Sequence, residues 1–422
     1  MSAQTILLLF IIFFFLDLGW ETILTLLNLH HVRQNAGTVP SAFAGTVDPA
    51  TYARSVSYTL VHGRFGLLAG LVSSAIRLAV VLTGFLGTLD TLVRTLPIHP
   101  YLQGVVFIAA VSLLFWIVGL PFSLYSTFSI EARFGFNKTT PWTWIADLAK
   151  GLGVSAVIGI PVLLALFWFM DRTGAFWWIW AFGALTAFEL VMSILAPLVI
   201  APLFNKFTPL PDGELRQAID ALATRLSFRT RGIFVVDGSR RSRHSNAYFT
   251  GLGRAKRIVL YDTLVSSHGV EEILSVLAHE IGHEKHHHIT KGLAISIAAS
   301  AVGFWILSLA LPWAPLYKAF GFAQPGYHSI LVLLAFFSGP LTFFLEPLVS
   351  LRSRRQEYEA DRFAVQGMGS AAGMKAALLR LGRDNLSNLS PHPLYSFIHY
   401  SHPTLVERLA ALERFERALP QS

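Results

Sequence analysis

Val270-Glu-Glu-Ile-Leu-Ser-Val-Leu-Ala-His279-Glu280-Ile281-Gly282-His283 is the stretch on which the reading turns. Its apolar residues recur at helical spacing, which predicts a helix. Its two histidines stand four apart, on one helical face, so both imidazoles can reach one ion. Glu280 follows the first of them, where it can take a proton from an activated water and later deliver it to a leaving amine. Zinc suits such a site because it acidifies a bound water and polarises a carbonyl as a Lewis acid. Soon after His283 the chain turns into a long apolar run, residues 291–313.

The whole chain is built to match that run. Its 422 residues are 53% hydrophobic and 14% charged, well below the roughly 25% charged residues of a soluble protein. There is no cysteine, which excludes disulfides, thiolate ligands and a thiol nucleophile. The net charge of +8 reads as basic loops kept on the cytoplasmic side of a bilayer. Nucleic-acid binding would need a basic groove, and no stretch requires one. A membrane core takes about 20 apolar residues per helix. Seven stretches qualify, near 4–29, 66–89, 101–124, 152–170, 176–200, 291–313 and 327–350. The first lacks a basic start and carries Asp17 and Glu21, so it reads as a span and not as a cleaved signal.

Seven crossings put the two ends on opposite sides. The loops 30–65 and 125–151 hold Arg33, Arg54, Arg64, Arg133, Lys138 and Lys150, while the opposite short loops hold Arg94, Arg172 and Lys318. The polar segment 201–290 and the C-terminal tail are therefore expected to face the cytosol. Four regions are expected: a five-span membrane domain over 1–204, a cytosolic catalytic region over 205–290, spans six and seven at 291–350, and a C-terminal catalytic region over 351–422. Asp17, Glu21, Arg77, Glu189 and Glu346 fall within spans. Each must be paired or face water, either through interhelical pairs or around a wet cavity.

In the polar segment, Pro209, Pro211 and Gly213 mark a break, and an amphipathic helix opens at Asp212. The runs Gly232–Asp237, Asn246–Thr250 and Arg257–Tyr261 read as a small antiparallel sheet. A catalytic zinc usually has three protein ligands, so one more is needed. The best candidate is Glu357 in Glu357-Tyr-Glu-Ala-Asp361. Asp361, one turn on, can accept a hydrogen bond from a ligand histidine, and Glu359 is the weaker ligand candidate. His286, His287 and His288 read as a solvated run at a helix end, although His283 and His287 would also make a pair four apart.

With these motifs in place, the sequence resembles the type I CAAX prenyl protease family of membrane zinc endopeptidases. The resemblance rests on Arg243-His-Ser-Asn-Ala-Tyr-Phe-Thr-Gly251 with Lys256–Leu264, on the two metal-motif stretches, and on Tyr400-Ser-His-Pro-Thr-Leu-Val-Glu-Arg-Leu409. It implies a mainly α integral-membrane fold with seven transmembrane helices around a chamber and a zincin-like catalytic domain containing a small β-sheet. It implies one zinc ion on His279, His283 and Glu357, with Glu280 as the base. It further implies that Asn246, Ala247, Tyr248 and Phe249 form an edge strand with which an extended substrate pairs, and that His402 and Arg408 lie near the site. His402 either stabilises an oxyanion or merely caps the last helix. Glu284-Lys-His-His after the metal motif departs from the family's usual aromatic and apolar residues.

The expected partners are a peptide or protein substrate, lipidated or not, and membrane lipid, with no nucleic acid and a monomeric chain. The expected setting is a bacterial inner membrane with the site toward the cytosol. Three competing readings are a heat-shock-type membrane metalloprotease, which has fewer spans, a transporter with polar intramembrane residues, and a non-catalytic peptide-binding scaffold.

Overall fold

The computed structural model describes residues 1–250 and 256–420. Gly251, the last residue of one motif quoted above, lies outside them. Among the described residues, six helices are long and apolar enough to cross a membrane: Ala3–Gln34, Pro49–Leu82, Pro100–Glu131, Pro141–Arg172, Gly174–Phe204 and His288–Ala310. Their apolar side chains point outward in numbers no soluble protein tolerates, among them Leu8, Phe15, Val157, Trp180 and Ile306. Such a surface is stable only against lipid.

The ends of these helices differ from the sequence expectation. The second begins at Pro49, capped by Asp48, and stops at Leu82 before Gly84 (φ 69°). The expected loop 30–65 is thus largely helical. Polar residues such as Arg54, Ser55 and Ser57 propagate a helix once it is nucleated but give no hydropathy signal. The seventh stretch differs more. It is a 16-residue helix, Tyr327–Thr342, and a new helix, Glu346–Met368, starts after a short break. Pro340 and Pro347 flank the break, and proline at the start of a helix is well tolerated. Glu346 therefore opens the helix that carries Glu357.

Four of the five ionisable residues read within spans gather in one region. Arg77 and Asp17 flank Gly339, where an added Cβ would lie 3.6 Å from each. Glu21 and Glu346 both face His399. Glu189 is exposed on its own helix. At the opposite end of the bundle lies a polar trio centred on the buried Asp90 and His328. The short helix Phe85–Arg94 supplies Asp90, which bonds His328 Nε2 at 2.6 Å and accepts from Arg94 Nε at 2.9 Å. An aromatic core of Phe10, Phe107, Phe167, Tyr317 and Phe322 surrounds that end.

The polar segment folds into a second core. Its sheet has four strands: β1 (Phe207–Pro209), β2 (Ile233–Val236), β3 (Ala247–Thr250) and β4 (Arg257–Tyr261), in the order β1-β2-β4-β3. β2 and β4 are parallel, so the sheet is mixed and not the antiparallel one expected. The chain leaves β2 and crosses over before it returns as β3 and β4. β3 lies at the sheet's edge, paired with β4 alone among the described strands. Ile219 and Leu222 of the helix Glu214–Arg225, Ile258 and Leu260 of β4, and Ile273, Leu277 and Ile281 of the helix Val270–Lys285 form the apolar centre. Burying a side chain of this kind contributes about 1.5–3 kcal/mol. A cavity of about 600 Å³ lies between the first two helices and the C-terminal region, bordered by Glu21, Asn28, Tyr58, His62, Asn388 and Tyr400.

Candidate active site

The helix Val270–Lys285 begins on Gly269, whose backbone N–H donates to Glu272 at 2.8 Å, and it has acidic residues in its first turn. Both features favour a helix N-terminus. At its other end the chain breaks at His287 (φ 57°), and the sixth span starts at once. The helix packs along Glu346–Met368 at very close range. A Cβ on Gly282 would come within 3.0 Å of Ala360 Cα and 3.1 Å of its carbonyl. The glycine of the His-Glu-Ile-Gly-His motif is therefore needed for the approach. That approach brings His279 and His283 against Glu357.

His279 Nε2 and His283 Nε2 are 3.1 Å apart. They lie 3.4 Å and 3.2 Å from Glu357 Oε2 and Oε1. One donor atom from each of the three residues falls within 4.8 Å of the other two. Each imidazole is oriented from behind. His279 Nδ1–H donates to Asp361 at 2.8 Å, which leaves a lone pair on Nε2. His283 Nδ1 meets His288 Nδ1 at 3.0 Å, and His288 Nε2–H donates to Glu359 at 3.0 Å. Two imidazole nitrogens and a carboxylate thus converge on one point. Glu357 Oε2 is buried and makes no hydrogen bond among the described residues. This donor set fits a small divalent cation.

The electrostatics agree with that fit. Burial opposes protonation of His279, but Asp361 and Glu357 outweigh it and lift the imidazole to about 9. A field that draws a proton so strongly also draws a cation. Burial likewise works against charge on Glu357, yet His279, His283 and the Arg408 guanidinium hold its carboxyl well below the usual range. Asp361 is held low against its own burial by Arg408 and His279. Glu280 is the exception. Its burial pushes it up, with the two histidines only partly opposing, toward the range a proton-transferring carboxylate needs.

Other residues named from the sequence fall as follows. Arg408 is buried and forks onto Asp361, at 2.9 Å from Nε and 2.6 Å from Nη2, with Glu357 3.4 Å from Nη1. It was expected near the site, and its guanidinium lies there between Asp361 and Glu357. His402 is largely exposed, and its Nε2 lies 3.4 Å from Glu357 Oε1, so it faces the donors. The cap of the last helix, Leu405–Arg417, is Thr404. Asn246 precedes β3 and bonds the Ala247 N–H through its own side chain. Ala247 is buried, and Phe249 packs on Phe228.

Two features leave no signal in the sequence. His288 is buried, whereas its run was expected to be solvated, because the break at His287 turns it inward against His283. Glu359 reaches it from the facing helix and is itself paired with Arg355. Glu284, which belongs to the departure from the family's pattern, forms an ion pair with Lys256.

Comparison with known proteins covers nearly the whole chain. Residues 28–206 match the family described as CAAX prenyl protease N-terminal, five membrane helices, and residues 209–416 match Peptidase family M48. The chain is 39% identical to a rice CAAX prenyl protease 1 homolog (Oryza sativa subsp. japonica), over 89% of this chain and 90% of that protein. Against the Saccharomyces cerevisiae CAAX prenyl protease 1 the identity is 36%, over 89% and 88%. Against the Homo sapiens homolog it is 32%, over 94% and 93%. The crystal structure of S. mikatae Ste24p superimposes with a TM-score of 0.89 at 34% identity, covering 97% of this chain and 99% of that one. These relatives are eukaryotic, so the bacterial setting expected from the sequence finds no support in them.

Proposed function

The chain belongs to the CAAX prenyl protease 1 family of M48 zinc membrane endopeptidases, and from that premise we propose how its residues divide the work. One zinc ion is held by His279, His283 and Glu357. The single observation carrying this is the convergence of one donor atom each from His279, His283 and the buried Glu357 to within 4.8 Å of one another. Bound there, zinc supplies Lewis acidity to the scissile carbonyl and to the attacking water. Glu280 takes the proton of that water and delivers it to the departing amine. Its raised affinity for a proton suits both steps. His402, exposed and facing the donors, donates to the oxyanion as it forms. Asp361, Arg408 and His288 hold the donor side chains in register and touch no substrate.

The substrate lies extended along β3, the edge strand, so that its backbone pairs with Ala247–Phe249. The names of the relatives point to a C-terminal peptide after a prenylated cysteine, and we assign that class to this chain. The positive-inside bias puts the site on the cytosolic side. The chain acts as a monomer built from a membrane domain over 1–204, a catalytic region over 205–290, two returning spans over 291–350 and a C-terminal catalytic region over 351–422.

The test is mass spectrometry of matched prenylated and unprenylated C-terminal peptides incubated with purified enzyme or with Glu280→Gln. The expected result is cleavage of the prenylated peptide by the wild type, at least about 10²-fold slower in the variant, which keeps its zinc. Equal cleavage by Glu280→Gln would remove Glu280 from the mechanism. Equal cleavage of both peptides would remove the prenyl requirement.

A further inference from the structure

Glu346, Ser350, Arg354, Glu357 and Asp361 recur every three or four residues along the helix Glu346–Met368, so they share one face. All five hold the C-terminal chain. Glu346 Oε1 accepts from His399 Nδ1–H at 3.0 Å, and the Ser350 hydroxyl donates to the Ile398 carbonyl at 2.9 Å. Arg354 Nη1 donates to the carbonyls of Ser396, Phe397 and Tyr400, at 2.9, 2.7 and 3.2 Å. Its guanidinium also lies over the Phe397 ring, 5.0 Å from the centre. Further along the face, Glu357 meets His402 and Arg408, and Asp361 takes the fork of Arg408.

The middle of this face bears on the site. The helix Pro393–His399 ends beside Arg354. A helix end lacks onward partners for its last carbonyls, and a cation suits that end. At Tyr400 the backbone turns out of the helix into an extended conformation, and His402 follows two residues on. Ser401 Oγ lies 2.9 Å from His402 Nδ1. A hydroxyl donating there keeps the ring proton on Nε2, the nitrogen that faces Glu357 Oε1 at 3.4 Å. The His402 side chain is 62% exposed. Packing therefore does little to fix it, and the backbone that carries it sets its position.

We infer that Arg354 is a positioning residue for the reaction, tying the 396–400 turn to the helix of Glu357 so that His402 stands over the metal donors. This rests on the reading of His402 as the oxyanion donor. Arg354 and Glu357 lie three positions apart on one helix (357 − 354), so the group that holds the metal and the group that places the oxyanion donor move as one body. Arg354 itself touches neither metal nor substrate. The oxyanion exists only as the reaction proceeds, so a displaced His402 lowers kcat and leaves KM unchanged.

Steady-state kinetics on the prenylated C-terminal peptide, with zinc measured on each purified full-length protein, checks this. The variants are Arg354→Met, Arg354→Lys, His402→Ala and the double Arg354→Met/His402→Ala. Methionine keeps an unbranched stem over Phe397 and removes every donor. Arg354→Met should keep its zinc and its KM while kcat falls by about 10–100-fold, the scale of a misplacement of about 1 Å. Arg354→Lys restores a cationic donor without the planar fork and should recover part of that loss. The double variant should be no slower than His402→Ala, because a group that works through His402 has nothing left to place. Wild-type kcat in Arg354→Met, or fold-losses that multiply in the double variant, would overturn the proposal and leave the role of His402 standing. Wild-type kcat in His402→Ala would overturn the oxyanion reading and this proposal with it. Should Arg354→Met fail to fold, Arg354→Lys decides alone: a lowered kcat that disappears against His402→Ala supports the proposal, and a wild-type kcat refutes it.

Discussion

His279, Asp361 and Arg408 at one end of the bundle have the same composition as His328, Asp90 and Arg94 at the other. In both, a buried aspartate takes an imidazole on one oxygen, at 2.8 Å and 2.6 Å, and an arginine Nε on the other, at 2.9 Å in each. Only one of them belongs to a site. The far trio spends its histidine on the aspartate, and the ring lies against Phe107. The near trio leaves His279 Nε2 facing a second histidine and a carboxylate. A buried His-Asp-Arg group is thus a fastening by itself. It becomes chemistry when the ring nitrogen turned away from the aspartate meets other donors.

The comparison can be broken most sharply at Glu357. Glu357→Gln should lose hydrolysis and the zinc of the active site, while His328→Gln should keep that zinc. Zinc analysis of the two purified proteins checks this, and equal zinc in both would erase the distinction. Next comes the aspartate. Asp361→Asn should weaken zinc binding by about 10–100-fold, as loss of a ligand's support does. Asp90→Asn should leave zinc binding alone and instead cost roughly 3–5 kcal/mol of stability, as breaking a buried pair does. Competition with a zinc chelator and thermal unfolding in the same detergent separate the two outcomes. His288→Ala should weaken zinc by about tenfold, the low end of that range, if the second histidine is steered from behind like the first. Unchanged affinity would reduce His288 to packing. The smallest effect on zinc is expected from Gly282→Ala, which should cost about 1–3 kcal/mol of stability through overpacking against Ala360. A wild-type unfolding temperature for that variant would mean that the helices can separate without cost.

The near trio was partly legible in the sequence because its spacing is local. His279 and His283 are one turn apart, as are Glu357 and Asp361, and helical geometry puts each pair on one face. The pairing of the two helices followed from the need for a third ligand. The fork of Arg408 onto Asp361 and the inward turn of His288 are decided by burial and a chain break, which leave no spacing to read. The far trio left no trace, since Asp90 and His328 are separated by 238 positions. The same limit explains the sheet. Its strands were found by their β-branched and aromatic residues, but the parallel pairing of β2 with β4 depends on a crossover. The apolar runs located the membrane helices well and their ends poorly, because polar residues continue a helix without any apolar signal.

The seventh helix, with 16 residues, rises only about 24 Å, against a hydrocarbon core of about 30 Å. Lipid beside it must thin, or the helix must be drawn inward, at a fraction of a kcal/mol per ångström. The next helix after the break is the one that bears Glu357. Bilayer thickness therefore acts as a mechanical load on one wall of the metal cradle, and the host membrane's lipid composition becomes a parameter of the enzyme.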